Sequence, residues 1–181
     1  MRNAAFYLVK TFSDLYLLTF LLRFILQWVR ADFYNPLSQF IVRATNPLVV
    51  PARRAIPSVG EVDVPTLVVL VLLQCLVTWL LLTMAGVTEP VDSFLLYVVL
   101  RMISLTLWLY SISILVYVIL SFLAHAAYSP IAMLLGQVVG PVLRPVRRIL
   151  PPIAGLDLSP WVVLILLQAL MIALQLPPYL R

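Results

Sequence analysis

Two arginine pairs set between prolines are the residues of this chain whose types and spacing could do chemistry. Arg53-Arg54 lies between Pro51 and Pro57, with Asp63 a short way on; Arg147-Arg148 lies between Pro145 and Pro151, followed by Asp157. A guanidinium is a planar fork of donors that can hold phosphate or carboxylate through two parallel hydrogen bonds. Prolines fix the backbone on either side of that fork. The spacing therefore has two readings. The corners are preformed anion-recognising sites, or their charges set topology and anchor the chain at anionic headgroups, each contributing ~1 kcal/mol. Asp63 and Asp157 in turn either cap the helices that follow or pair with the arginines. Pro47, Pro51 and Pro57 are expected to exclude a continuous helix through the arginine pair, because a helix-interior proline loses a backbone bond and clashes with the preceding turn.

The two corners are copies. At one constant offset, without a gap, Pro36, Pro47, Pro51, Arg53, Arg54, Pro57, Asp63 and Gln74 fall on Pro130, Pro141, Pro145, Arg147, Arg148, Pro151, Asp157 and Gln168. Matched Leu and Val carry little weight in an apolar chain; matched Pro, Arg, Asp and Gln mean duplication. The expected division is a first repeat over 1–88, with its linker at 30–64, and a second over 89–181, with its linker at 123–159.

What must position these residues is a set of membrane helices. Of 181 residues, 64% are hydrophobic and 10% charged, and the mean hydropathy is +1.09. Soluble domains are about a quarter charged, so the composition is that of an all-α integral membrane protein. The formal charge of +5 bears on orientation and lipid contact rather than on nucleic acid. A single cysteine, Cys75, excludes an internal disulfide. One His and one Cys cannot build a zinc site, and no HExxH, GxSxG or phosphate-cradling glycine loop is present. No enzyme activity and no cofactor are expected. His125 reads as an interfacial residue, or as a haem ligand if a partner supplied a second axial group.

Four spans are expected: Phe6 to about Val29, Val64 to Met84 with Gly86 at its end, Phe94 to about Phe122, and Pro160 to Leu176. The first carries Lys10, Asp14 and Arg23. Lys10 and Asp14 are four apart and can pair. Arg23 can snorkel to the near interface, and Arg101 can reach back towards the acidic connection holding Glu89 and Asp92. Against these readings stands the default view that intramembrane charges mark a transport path. Between the first two spans, Leu37, Phe40, Ile41 and Ala44 recur at helical spacing opposite Ser38, Gln39, Arg43 and Asn46, which predicts an interfacial amphipathic helix. Ile131, Leu134, Leu135 and Val138 repeat it. Gln74 and Gln168, equivalent within their spans, are expected to face each other or equivalent neighbours, with a helix–helix hydrogen bond contributing ~0.6–2 kcal/mol.

Arg30, Arg43, Arg53, Arg54, Arg144, Arg147 and Arg148 gather on the linker side. The positive-inside rule then puts both linkers in the cytoplasm and both termini in the periplasm, so the two repeats cross in the same sense as parallel repeats.

With these residues in view the chain resembles a known family. The run Asn35-Pro36, then Asn46-Pro47-x-x-x-Pro51-x-Arg53-Arg54-x-x-Pro57 and Asp63, doubled with Ser129 for Asn35 and Gly140 for Asn46, resembles the YggT family of bacterial inner-membrane proteins over nearly the whole chain. The resemblance implies a multi-pass protein related to plastid factors of cytochrome-complex assembly and thylakoid organisation. It also implies bacterial relatives near cell-division genes or linked to osmotic tolerance and ion uptake. It carries over no catalytic residue. Three function classes follow: an assembly or scaffold factor meeting membrane-protein partners, an oligomeric ion or solute pathway tied to osmotic stress, and a structural protein binding anionic lipid headgroups.

Overall fold

A computed structural model of the chain describes residues 2–58, 60, 62–123, 129–150, 157–177 and 180. Six helices make up the described residues: α1 (Arg2–Trp28), α2 (Pro36–Ala55), α3 (Val64–Ala85), α4 (Val91–Phe122), α5 (Pro130–Ile149) and α6 (Ser159–Ala173). Three are long and apolar enough to cross a membrane: Ala4–Trp28, Val64–Ala85 and Val91–Phe122. Their outer faces would not be tolerated in water, since Leu72, Leu76, Trp79, Leu96, Val99 and Ile119 are exposed along α3 and α4. Contiguous apolar surface of that extent belongs against lipid or protein.

The fourth expected span is shorter than its sequence promised. Helix α6 has 15 residues, roughly 22 Å against a hydrocarbon core of ~30 Å. It ends at Ala173 rather than Leu176 because Gln175 takes a left-handed conformation (φ 45°) and Pro177 holds the residue before it out of the helical region.

Each amphipathic segment between spans forms one 20-residue helix, starting at Pro36 and at Pro130. These helices correct the expectation that the prolines interrupt the chain before the arginines. Pro47 and Pro51 lie inside α2, Pro141 and Pro145 lie inside α5, and both arginine pairs sit in the last helical turn. The prolines are four apart and exposed. They therefore share one row on the outer face, and the lost hydrogen bonds fall where the helix packs against nothing. The opposite row, Ser38, Ile41, Thr45 and Val49, is buried and supplies the packing that offsets each proline's cost of ~3 kcal/mol. The stop comes from the third proline instead. Of the C-cap residues, Ile56 is extended (φ −125°, ψ 115°) and Leu150 likewise leaves the helical region (φ −116°, ψ 87°), as a residue preceding proline is biased to do.

That buried row is not the apolar row of the sequence pattern. Phe40 is exposed, and Leu37 and Ala44 are half-buried, while Ser38 and Thr45 are wholly buried. Gln39 and Arg43 of the polar face stay exposed, while Thr45 and Asn46 turn towards the protein as partners of buried Arg23.

The core follows the span order. Helix α3 packs on α1 and on α4, α6 packs on α4 and α5, and α1 also meets α4. The larger apolar cluster holds Leu17, Phe20, Leu26, Leu70 and Leu81 between α1 and α3; a smaller one holds Ile114, Val139, Leu143 and Val163 where α4, α5 and α6 meet. Helices α2 and α5 touch at their starts. Asn35 Oδ1 accepts from Leu37 N at 3.0 Å to cap α2, while Asn35 Nδ2 donates to Pro130 O at 2.6 Å. Ser129, its counterpart, caps α5 by accepting from Ala132 N at 3.2 Å. A hydroxyl suffices to cap; bridging to the other helix takes the amide. That is the physical difference between the two copies at this position.

Candidate functional site

The first corner is a closed network. Asp63, with a side chain 0% exposed, caps α3 by accepting from Thr66 N at 3.4 Å and Thr66 Oγ1 at 2.6 Å. The same carboxylate accepts from Arg53 Nη2 at 2.7 Å. The two readings of Asp63 are therefore realised together, and the last turn of α2 is tied to the first turn of α3. Arg23 reaches the same carboxylate from α1, with Nε 4.0 Å from Asp63 Oδ2. Its Nη1 donates to Thr45 Oγ1 at 2.6 Å, Asn46 Oδ1 at 2.9 Å and Val42 O at 3.3 Å. Arg23 does not snorkel to the interface: it is 4% exposed, because α2 folds over it with acceptors enough to replace water. Burial alone would push the Asp63 carboxyl up. The Thr66 hydrogen bonds together with the bond and charge of Arg53 outweigh it and hold the group below the usual carboxylate range.

The second corner is simpler. Arg147 Nε donates to Asp157 Oδ2 at 2.8 Å, and Asp157 Oδ1 accepts from Ser159 N at 3.0 Å at the start of α6. Burial pushes Asp157 up, but the Ser159 hydrogen bond and Arg147 bring it below its ordinary value. Arg147 is raised: burial opposes this, and the hydrogen bonds with Tyr117 and Asp157 prevail. Tyr117 holds the position matching Arg23. Likewise Ser38, Thr45, Asn46 and Thr66 of the first copy are matched by Ala132, Val139, Gly140 and Pro160. The first copy thus has a polar interior around a buried arginine, and the second replaces it with apolar side chains. Neither corner shows a fork. Each arginine gives one hydrogen bond to one carboxylate oxygen among the described residues, and Arg54 and Arg148 are exposed. Pro57 follows the α2 cap; Pro151 and His125 lie outside the described residues.

A third constellation joins the spans themselves. Asp14 Oδ1 accepts from Arg101 Nη2 at 2.6 Å, and Asp14 Oδ2 accepts from Lys10 Nζ at 3.0 Å. Arg101 Nη1 also donates to Thr78 Oγ1 of α3 at 3.0 Å. The pairing of Lys10 with Asp14 is as its spacing predicts. Arg101 is not: it is 4% exposed and points across to α1 rather than back towards Glu89 and Asp92. The nearest carboxylate in space lies far off in sequence, on α1, so no local pattern could show it. Beside this pair opens a cavity of about 350 Å³ lined by Lys10, Asp14, Gln74, Arg101, Ser104 and Trp108, among others.

Gln74 and Gln168 part company. Gln74 is buried, and neither its Nε2 nor its Oε1 has a hydrogen-bond partner among the described residues; Gln168 is exposed on α6. They do not share an environment because α3 is packed against α1, α2 and α4, whereas α6 packs chiefly on α4 and α5 among the described residues. Among the described residues no group of His, Cys, Asp and Glu is placed to hold a metal ion.

The CCB3/YggT family model matches residues 2–84 and again residues 96–177. The chain belongs to the CCB3/YggT family. It is 45% identical over 162 residues to the uncharacterised protein PA0392 of Pseudomonas aeruginosa, covering 88% of this chain and 82% of that protein. It is 42% identical over 169 residues to a Vibrio alginolyticus protein encoded in the proC 3′ region, covering 92% and 90%. To the Escherichia coli K12 protein YggT it is 36% identical over 169 residues, covering 93% and 87%. No solved structure matches the chain. The doubled match of one CCB3/YggT model accords with the repeat in the sequence.

Proposed function

We propose that this CCB3/YggT protein is a non-enzymatic scaffold of the bacterial inner membrane that helps to assemble or hold other membrane components. In this reading α1, α3, α4 and α6 cross the bilayer as two parallel repeats, 1–88 and 89–181. Helices α2 and α5 lie along the cytoplasmic interface, and both termini are periplasmic. One observation carries it: the charges of the corners are divided between architecture and display. Arg53 and Arg147 are engaged with Asp63 and Asp157, while Arg43, Arg54, Arg144 and Arg148 are exposed on the two touching helices. A joined pair of helices with an exposed arginine row suits anionic headgroups or acidic segments of partner proteins.

The topology is tested with C-terminal fusions. Alkaline phosphatase at the C-terminus is expected to be active and a Sec-exported fluorescent protein dark; the opposite pattern rejects the orientation. The scaffold role is tested by recovery of the tagged protein in mild detergent. Specific partners should copurify, and their recovery should fall when Arg43, Arg54, Arg144 and Arg148 are replaced by Ser at unchanged membrane abundance.

A second reading, a self-associated ion or solute pathway, is favoured by Gln168. Its amide is exposed on α6 beside exposed Ile165 and Leu166, where a second copy would give it a hydrogen-bonding partner. A homo-oligomer with conductance in planar bilayers, and no copurifying protein, would replace the scaffold reading with this one.

A further inference from the structure

We propose that the cavity between α1, α3 and α4 is a binding site for a small organic anion carrying a hydroxyl group beside its charge. The site goes beyond the scaffold reading and does not depend on it. Its walls come from matched positions of the two repeats: Tyr7, Lys10, Thr11 and Asp14 of α1 correspond to Arg101, Ser104, Leu105 and Trp108 of α4, and all of them line the cavity. One helix face, used twice, has been turned on itself, and its chemistry has diverged between the copies. Only the chain carrying both versions can build the site.

The charge balance selects an anion. Two cations, Lys10 and Arg101, face one carboxylate, and each of its oxygens already accepts from one of them: Oδ2 from Lys10 and Oδ1 from Arg101. A cation would be opposed by the net positive charge of the three groups, whereas an anion is attracted by it in a partly desolvated space, where it counts for more than in water. Among the described residues Lys10 has one of its three donors engaged in a hydrogen bond.

Gln74 supplies the second requirement. The residue is 1% exposed and lines the cavity, and its amide leaves both a donor and an acceptor unpartnered among the described residues. Burying such a group without partners is unfavourable, and a single ligand satisfies it fully when it brings an acceptor and a donor together. An anionic oxygen and a neighbouring hydroxyl do this; a bare halide does not. About 350 Å³ is within the range of sites for small molecules and accommodates a glycerol phosphate group. That chemistry occurs in free solutes and in lipid headgroups alike.

The test uses the full chain in neutral maltoside detergent, with Trp108 fluorescence and melting temperature as readouts. A Trp108→Phe control leaves only the other tryptophans' signal, which is subtracted. Three probes are titrated: glycerol 3-phosphate, dihexanoyl phosphatidylglycerol and, as the uncharged-overall comparison, dihexanoyl phosphatidylcholine. Saturable binding of glycerol 3-phosphate assigns the site to a free solute. Saturation by the phosphatidylglycerol alone assigns it to a headgroup. In either case Gln74→Leu should weaken binding about tenfold or more while the protein melts no lower than before, since the change removes an unpartnered buried amide. Lys10→Met, at the half-buried rim, should weaken it similarly and serves if Gln74→Leu does not fold. No saturable response to either anion, equal binding of phosphatidylcholine, or unchanged affinity in both variants would overturn the proposal.

Discussion

Asp14→Leu should be among the most damaging single substitutions in the chain, lowering stability by ~3–5 kcal/mol, the usual cost of breaking a buried ion pair on one side. Arg101 is 4% exposed, and its acceptors in the described structure are Asp14 and Thr78. Removing the carboxylate leaves a guanidinium inside the helix bundle with one hydroxyl for company. The pair does not stabilise the fold by an equal amount, because both charges had to leave water to form it. Asp14→Leu combined with Arg101→Met should therefore recover most of the loss. Melting in detergent, by circular dichroism, reads both variants. If Asp14→Leu melts with the wild type, or the double variant is no better than the single, Arg101 does not depend on Asp14.

The two corners should respond unequally to the same change. Asp63→Ala removes the α3 cap and leaves buried Arg23 and half-exposed Arg53 without their shared carboxylate, for a loss of ~3 kcal/mol. Asp157→Ala removes the hydrogen bond to Ser159 N and an ion pair whose side chains are 37% and 30% exposed; solvent screens that pair, so ~1 kcal/mol is expected, chiefly from the Ser159 hydrogen bond. Acid provides an independent reading. The Asp63 carboxyl titrates below its ordinary value in the folded chain, so the stability it contributes is fully present above the unfolded value of ~3.9. That contribution is lost as pH falls from there through the folded value. Wild-type melting temperature should drop below about pH 4, and Asp63→Ala should flatten that drop far more than Asp157→Ala does. Equal losses at the two positions would mean that the corners carry the same load despite Tyr117 standing in place of Arg23.

How much of this was legible depends on whether the cause was local. Membrane-type helices follow from hydropathy and length, because an apolar run of that extent has few other places to go. The duplication is written in Pro, Arg, Asp and Gln, residues whose matches are not forced by composition. Gly86, at φ 74° in the left-handed region, ends α3 as its type and position imply. Lys10 with Asp14, and Asp63 as a cap, are contacts within a turn and could be read from spacing.

Tertiary structure decided what spacing cannot express. The prolines of α2 and α5 are tolerated because they share an outer row, and whether a row faces outward is settled by what packs on the other side. Arg23 and Arg101 are buried rather than snorkelled because another helix happens to bring acceptors, Thr45, Asn46 and Asp63 in one case and Asp14 and Thr78 in the other. Gln74 and Gln168 occupy the same place in the repeat, yet one is buried beside a cavity and the other is exposed on the last helix. A repeat sets which residues recur; the neighbours available to each copy set what those residues do, since burial and hydrogen bonding depend on the whole arrangement of helices and not on the local chain.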